Sequence, residues 1–341
     1  MPSKNYSGLL ILLFFVAMLL FVLDLAYGPV SIPLEDVFKR IFGGNTSKET
    51  WDYIIVNYRL PKAITAVLAG TGLAISGLLM QTLFRNPLAG PDVLGLSSGS
   101  SLGVAFVVMG ATFIPGILSV WMLSSYGIIL ASCFGSFLVM LAVLTVSQRL
   151  RDTMAILIVG LMFGSFASAI VSILTYFSTA EQLQKFTFWA MGNLGNLSWA
   201  SIVILLVCVL IGLAIAMLCI KPLDALLLGP NYAKSLGLNY KRTQFTIIIA
   251  TSLLTGSITA FAGPIAFIGL VTPHMAKLLF RTSNHKILFT ATLLFGSIIV
   301  LICDILCQFP GMEITLPINA VTSLIGAPIV VWLLMRKKNM I

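Results

Sequence analysis

The chain has 341 residues, 59% of them hydrophobic and 9% charged, with a mean hydropathy of +1.05. This composition excludes a soluble globular protein and predicts an all-α polytopic membrane protein. The net charge of +9 is accounted for by cationic loops on one membrane side, so nucleic-acid binding is not needed to explain it.

A spanning helix needs about 20 mostly apolar residues, and about ten candidate spans follow one another along a single membrane domain, 1–341. The first, 8–26, is too long for a removable signal peptide, lacks a small-residue cleavage site, and reads as an anchor. The polar stretch 27–62 carries VSIPLEDVFKRIFGG. There Val37, Phe38 and Ile41 alternate with Glu35, Asp36, Lys39 and Arg40, which predicts an amphipathic surface helix ended by Gly43-Gly44. YRLPK then sets Arg59 and Lys62 at the lip of the second span, 63–82. These two cations either anchor to headgroups or receive carboxylates from a docking protein.

Between the second span and the third, 94–114, lies FRNPLAGPDVLGLSSGSSLG, residues 84–103. Pro87 and Pro91 bar the residues before them from helical geometry, so the two spans cannot merge. Gly95, Gly99 and Gly103 then form a ridge that another helix can approach closely. The stretch is either a tight connector before a packing helix or a rigid constriction. Spans at 126–147 and 154–178 follow, the latter with a second small-residue ridge at Gly160, Gly164 and Ser168.

After the span 199–220 comes KPLDALLLGPNYAKSLGLNYKR, residues 221–242. Gly229-Pro230 divides it into two short helices, and Gly229, Ala233 and Gly237 recur at intervals of four. So many leucines suit a partner's groove better than water. The last spans are 244–262, 265–281, 287–306 and 317–335, the second of these interrupted by Gly263-Pro264, Gly269 and Pro273.

Ten crossings with both termini in the cytoplasm put most of the 20 basic residues inside, including those of 221–242 and the final Arg336, Lys337 and Lys338. There is no G-x-x-x-x-G-K-[ST], so ATP cannot bind through a P-loop of this chain. HExxH and G-x-S-x-G are absent too, the two histidines form no cluster, and the five cysteines show no CxxC spacing. No catalytic residue, metal site or cofactor follows. The spans hold only Asp24 and Asp304 as acids, both near outer ends, whereas an ion-coupled secondary transporter normally buries ionisable groups at mid-membrane. What remains is a permease powered by another polypeptide. A secondary carrier or a membrane enzyme is the alternative, and co-purification with a P-loop ATPase discriminates against both.

Five stretches carry a resemblance: 59–103 (RLPKAITAVLAGTGLAISGLLMQTLFRNPLAGPDVLGLSSGSSLG), 189–194 (WAMGNL), 226–239 (LLLGPNYAKSLGLN), 263–279 (GPIAFIGLVTPHMAKLL) and 316–334 (LPINAVTSLIGAPIVVWLL). In this order the chain resembles, nearly end to end, the FecCD/BtuC-like permeases of binding-protein-dependent ABC importers for iron-siderophores, haem and cobalamin. The resemblance implies a type II importer fold in the bacterial cytoplasmic (inner) membrane. Its partners would be two ATPase subunits, a substrate-binding protein, surrounding lipid, and a second permease copy, in a homodimer or a paralogous heterodimer. Arg59 and Lys62 would dock the binding protein, with Gln308 where cobalamin-type members carry an arginine. Asn86 and Leu88 would form one cytoplasmic gate, and Asp152, Thr153 and Met154 another. Gly229, Ala233 and Gly237 would seat in the ATPase groove. The neutral Gln308 and the Asp152-Thr153-Met154 turn depart from the cobalamin pattern, and favour a ferric-siderophore chelate ahead of haem or cobalamin.

Overall fold

A computed structural model of the chain describes residues 6–92, 94–110, 116–147, 153–195, 197–308 and 315–338. In chain order these form α1 (Tyr6–Ala26), α2 (Leu34–Ile41), α3 (Glu49–Ile54), a π-helical turn (Ile55–Arg59), α4 (Leu60–Leu83), α5 (Leu96–Gly110), α6 (Ile117–Met122), α7 (Ser125–Ser147), α8 (Thr153–Tyr176), α9 (Ala180–Ala190), α10 (Trp199–Leu218), α11 (Ile220–Leu227), α12 (Pro230–Ser235), α13 (Tyr240–Ala262), α14 (Ile268–Phe280), α15 (His285–Cys307) and α16 (Ile318–Lys338). Among the described residues no strand occurs, only an isolated backbone bridge between Gln308 and Thr315. Among the described residues seven helical stretches are long and apolar enough to cross a membrane, and α5, α14 and Ile318–Leu333 are shorter apolar helices. Each of the ten sequence-predicted spans is therefore a helix.

Helix α4 is the centre of the bundle. Every residue from Leu68 to Leu83 is buried, because α10, α13, α14 and α15 all pack on it. Small residues permit this. A Cβ on Gly70 would overlap the Gly296 carbonyl of α15, and one on Gly77 would overlap the backbone of Gly269 in α14. In a bilayer, lipid tails are as apolar as leucine, so helix association depends on such close van der Waals contact and on polar bonds across the interface. Both occur here. Ser76 Oγ and Thr255 Oγ1 lie 2.8 Å apart between α4 and α13, and Ser132 Oγ donates to Gly256 O at 2.8 Å between α7 and α13. The Gly99–Gly103 ridge of α5 meets Gly135 and Ala131 of α7 in the same manner.

Three differences from the sequence expectation have physical causes. Residues 49–59 are not loop: α3 and the π turn run straight into α4 as one helical stretch, Glu49–Leu83. Its N-terminal turns are held by side chains the hydropathy pattern ignores, among them Trp199 Nε1 donating to Val56 O at 3.2 Å. In α2, Val37 is fully buried in a small cluster with Leu25, Ile32, Ile55 and Ala63, while Phe38 and Ile41 are 45% and 44% exposed. The predicted apolar face therefore splits between the protein and its surroundings. The third difference concerns the interruption at 263–281, which is confined to residues 263–267. Helix α14 runs through Gly269 and Pro273. Proline removes the N–H that would bond the carbonyl four residues earlier, here Gly269 O. Gln81 Nε2 of α4 approaches that oxygen at 3.4 Å and donates to Leu270 O at 3.0 Å.

Gly70→Leu drives a side chain into the α15 backbone, where neither helix can yield without losing its other contacts. Overpacking of this kind costs about 3 kcal/mol or more. The variant is expected to lose its cooperative thermal transition in detergent, whereas Gly110→Ala, at a site open within 4 Å, keeps it.

Candidate functional site: two polar ends of one buried helix

At its N-terminal end α4 carries Arg59 and Lys62, one on each side of its first turn. The Arg59 guanidinium donates to Leu25 O and Ala26 O, both at 2.7 Å, and to Val30 O. Leu25 and Ala26 close α1, whose final carbonyls have no partner within the helix, so Arg59 is the cap of α1. Lys62 Nζ pairs with Asp304 Oδ1 of α15 at 3.0 Å. Gln308 Nε2 donates to Asp24 Oδ1 at 3.2 Å and approaches Asp304 O and Oδ2 at 3.4 and 3.5 Å. Asp24, Arg59, Asp304 and Gln308 are all buried. One ion pair, Lys62–Asp304, thus lies beside Asp24, which Gln308 bridges to Asp304, while Arg59 is held by backbone carbonyls.

Arg59 and Lys62, expected to anchor to headgroups or to receive a docking protein's carboxylates, have partners within their own chain. Arg59, Lys62 and Gln308 come together, but around counter-charges of their own chain. Unpaired charge is costly away from water, and pairing with good hydrogen bonds offsets that cost. The sequence placed the acids Asp24 and Asp304 near the same membrane face as the two cations, but not which of these groups meet.

Beside the Lys62–Asp304 pair opens a cavity of about 610 Å³, lined also by Phe188, Trp189, Phe261 and Ile318. Its wall is built where the WAMGNL and GPIAFIGL stretches interlock. Trp189 Nε1 donates to Ala260 O at 3.0 Å, Asn193 N to Ala262 O at 2.8 Å, and Ala266 N to Asn319 Oδ1 of α16 at 3.1 Å.

The other end of α4 leads into the 84–95 turn. Arg85 adopts a left-handed conformation (φ 49°). Asn86 is buried, and its Oδ1 accepts from Leu88 N at 2.8 Å. Such a side-chain bond to the backbone two residues on builds a tight turn. The Asn86 amide is therefore spent on the turn's shape, while Leu88 stands half-buried at its surface. Asp92 accepts from Ser97 Oγ, and burial pushes the Asp92 carboxyl above its usual range. Gly95 rests against Gly160 and Gly164 of α8. Of the second predicted gate, Asp152 lies outside the described residues, and Thr153 and Met154 begin α8.

The 221–242 segment lies near the same end. Ala233 is fully buried, and Gly229 and Gly237 flank α12 with φ of 102° and 84°. Their spacing of four serves left-handed turn geometry, and forms no small-residue ridge. The outward stripe sits one residue earlier: Leu228, Tyr232 and Leu236 are 63%, 52% and 60% exposed. Sequence reasoning noticed the leucines but attached the face to the glycines. Reading positive φ at Gly229, which precedes Pro230, shifts the face.

The model of the FecCD transport family matches residues 14–336. The chain belongs to the FecCD transport family. Members of this family are permease subunits of ABC importers and not themselves enzymes; they work with ATPase and binding proteins. The hemin transport system permease protein HmuU of Yersinia pestis is 31% identical, over 94% of this chain and 95% of its own length. The vitamin B12 import system permease protein BtuC of Klebsiella pneumoniae is 36% identical, over 82% of each chain. A solved structure described as an inward-facing metal-chelate type ABC transporter aligns with a TM-score of 0.80 at 27% identity, covering 97% of this chain and 99% of that one. This FecCD chain is thus a multi-pass permease of the BtuC-like fold, and the ion-coupled carrier reading is set aside.

Removing one partner of the Lys62–Asp304 pair strands a buried charge, at a cost of about 3 kcal/mol. Lys62→Met should lower the thermal midpoint of the purified permease by several degrees, and Lys62→Met with Asp304→Leu should recover most of the loss. Equal midpoints for the single and double variants would show that the pair is not coupled.

Proposed function

We propose that this permease lines the import pathway for a ferric-siderophore-type chelate, as a dimer of two copies, in a bacterial cytoplasmic membrane. In this reading residues 27–62 and the cavity beside Lys62 face outward, and both termini face the cytoplasm. The positive-inside bias supports that orientation. A binding protein delivers the chelate to the outer face. Arg59, Lys62 and Gln308 contribute to its docking by fixing the rim on which it sits, since their charges are met within the chain. Leu88 on its Asn86-shaped turn narrows the cytoplasmic end, and Asp152, Thr153 and Met154 supply the second gate there.

The observation that carries the coupled-importer reading is the exposed stripe Leu228, Tyr232 and Leu236 on a segment held in shape by Gly229, Ala233 and Gly237. Three large apolar side chains four residues apart, with Lys221 and Lys234 nearby, suit the groove of an ATPase subunit. Tyr232→Asp with Leu236→Asp should reduce ATPase co-purification about tenfold, while the permease still elutes as a folded dimer. Unchanged co-purification would remove this segment from the contact.

For the substrate, the neutral Gln308, at a position where cobalamin-type members carry an arginine, supports a ligand other than cobalamin. Haem import is the second reading, favoured by the nearly full-length similarity to the hemin permease. The deciding experiment incubates the partner binding protein with a ferric hydroxamate, hemin and cyanocobalamin. The retained ligand is then tested for stimulation of ATP hydrolysis by the reconstituted complex. A ferric hydroxamate is expected to be retained and to stimulate. Retention of hemin or cyanocobalamin alone would overturn the siderophore assignment and leave the importer intact.

A further inference from the structure

A chain of three side chains connects α11 to the last turn of α4. Asp224 of α11 accepts from the backbone N–H of His285 at 2.9 Å, and its Oδ1 lies 2.7 Å from His285 Nδ1. His285 opens α15, and the other side of its ring places Nε2 2.9 Å from Thr82 Oγ1 of α4. Asp224 is 43% exposed, whereas His285 and Thr82 are buried. The chain therefore begins at the surface of the short-helix segment and ends inside the bundle, three residues before Arg85 enters the 84–95 turn. Arg85 closes the same region from outside: a Cβ on Gly229 would lie 3.5 Å from its Nη1.

Anchoring α11 to α15 needs only the two bonds at Asp224. The third bond, to Thr82, adds nothing to that anchor. It does give α4 a link to a segment with which α4 otherwise shares few polar contacts. Thr82 has one hydroxyl proton and a second acceptor in reach, Leu78 O at 2.9 Å. The bond to His285 can break without orphaning a buried hydroxyl. The link accordingly has a made and a broken arrangement, the broken one leaving Thr82 on Leu78 O and costing only the Nε2 partner of the ring, and transmission between distant sites requires two such discrete arrangements.

We propose that Asp224, His285 and Thr82 are positioning residues that carry displacement of the 221–242 segment to the 84–95 turn. The proposal rests on the coupled-importer reading. Movement of α11 shifts Asp224 and with it the His285 ring. The ring then makes or releases Thr82, which changes the hold on the last turn of α4 and so on the turn that Leu88 occupies.

The test uses the complete complex, with its ATPase and binding protein, in proteoliposomes. Uptake of hemin, an iron-labelled ferric hydroxamate or cyanocobalamin, whichever the native complex imports, is measured together with ATP hydrolysed. In His285→Asn the amide reaches Asp224 from about the Nδ1 position but falls short of Thr82. Thr82→Val keeps the volume and removes the hydroxyl; Thr82→Ser keeps the hydroxyl. The first two variants are expected to assemble and to hydrolyse ATP as the native complex does, with uptake per ATP reduced about tenfold. Thr82→Ser should stay near the native ratio. A native ratio in both His285→Asn and Thr82→Val would overturn the proposal. So would uptake and hydrolysis falling in step, or failure of both variants to assemble, since each outcome makes the chain an anchor or a folding element. If the native complex shows no hydrolysis-dependent uptake, the importer reading fails before any variant is compared.

Discussion

The packing of α4 is the constraint on which the other elements depend. A helix buried continuously from Leu68 to Leu83 must be approached from every side, and in a bilayer the approach gains nothing from expelling water. Small residues answer this. Gly70 meets Gly296, Gly77 meets Gly269, and Ser76 meets Thr255. Backbones come within contact, dispersion acts over many atom pairs, and the helix is left little freedom to bend or rotate. The surrounding helices α13, α14 and α15 are positioned by that fit. The Gln81 bonds to the start of α14 then stabilise carbonyls beside the proline that would otherwise weaken it.

A rigid core helix makes its two ends different in kind. At the Arg59 end, charged groups are tied down: the guanidinium caps α1, and Lys62 meets Asp304. Removing any member strands another, so this end is built to hold. At the Thr82 end, the Asp224 carboxylate holds the His285 ring, and the Thr82 hydroxyl has both that ring and Leu78 O in reach. The turn that follows is shaped by Asn86, and its neighbours Gly95, Gly160 and Gly164 present little side-chain bulk. The contrast fits a permease of the FecCD family, in which the energy comes from elsewhere and has to reach the pathway through contacts.

The apolar stripe on α12 shows how backbone conformation selects a face. Gly229 and Gly237 lie in the left-handed region, where side-chain-bearing residues are strained, and they fix the direction in which the short helix enters and leaves. Ala233 points inward because only a small residue fits there, and Leu228, Tyr232 and Leu236 are consequently left outside.

The number and order of the spanning helices, the break after Leu83, the two short helices around Gly229-Pro230 and the family resemblance were legible in the sequence. Each depends on local properties: hydropathy over one helix length, proline's effect on its neighbour, and the recurrence of motifs. Residues 49–59 were misjudged because their helix is held by contacts such as Trp199 to Val56, which no window on the sequence contains. The destination of Arg59 and Lys62 was likewise out of reach. Their partners Leu25, Ala26 and Asp304 lie far away along the chain, and a lone cation at a helix end looks the same whether it faces water or a carboxylate. The link from Asp224 through His285 to Thr82 joins three elements whose adjacency exists only once α4, α11 and α15 have packed. The sequence by itself determined what crosses the membrane and where it turns, because those are costs paid locally. Tertiary structure decided which polar groups meet, because burial makes partnership obligatory but leaves the partner to be chosen by the fold.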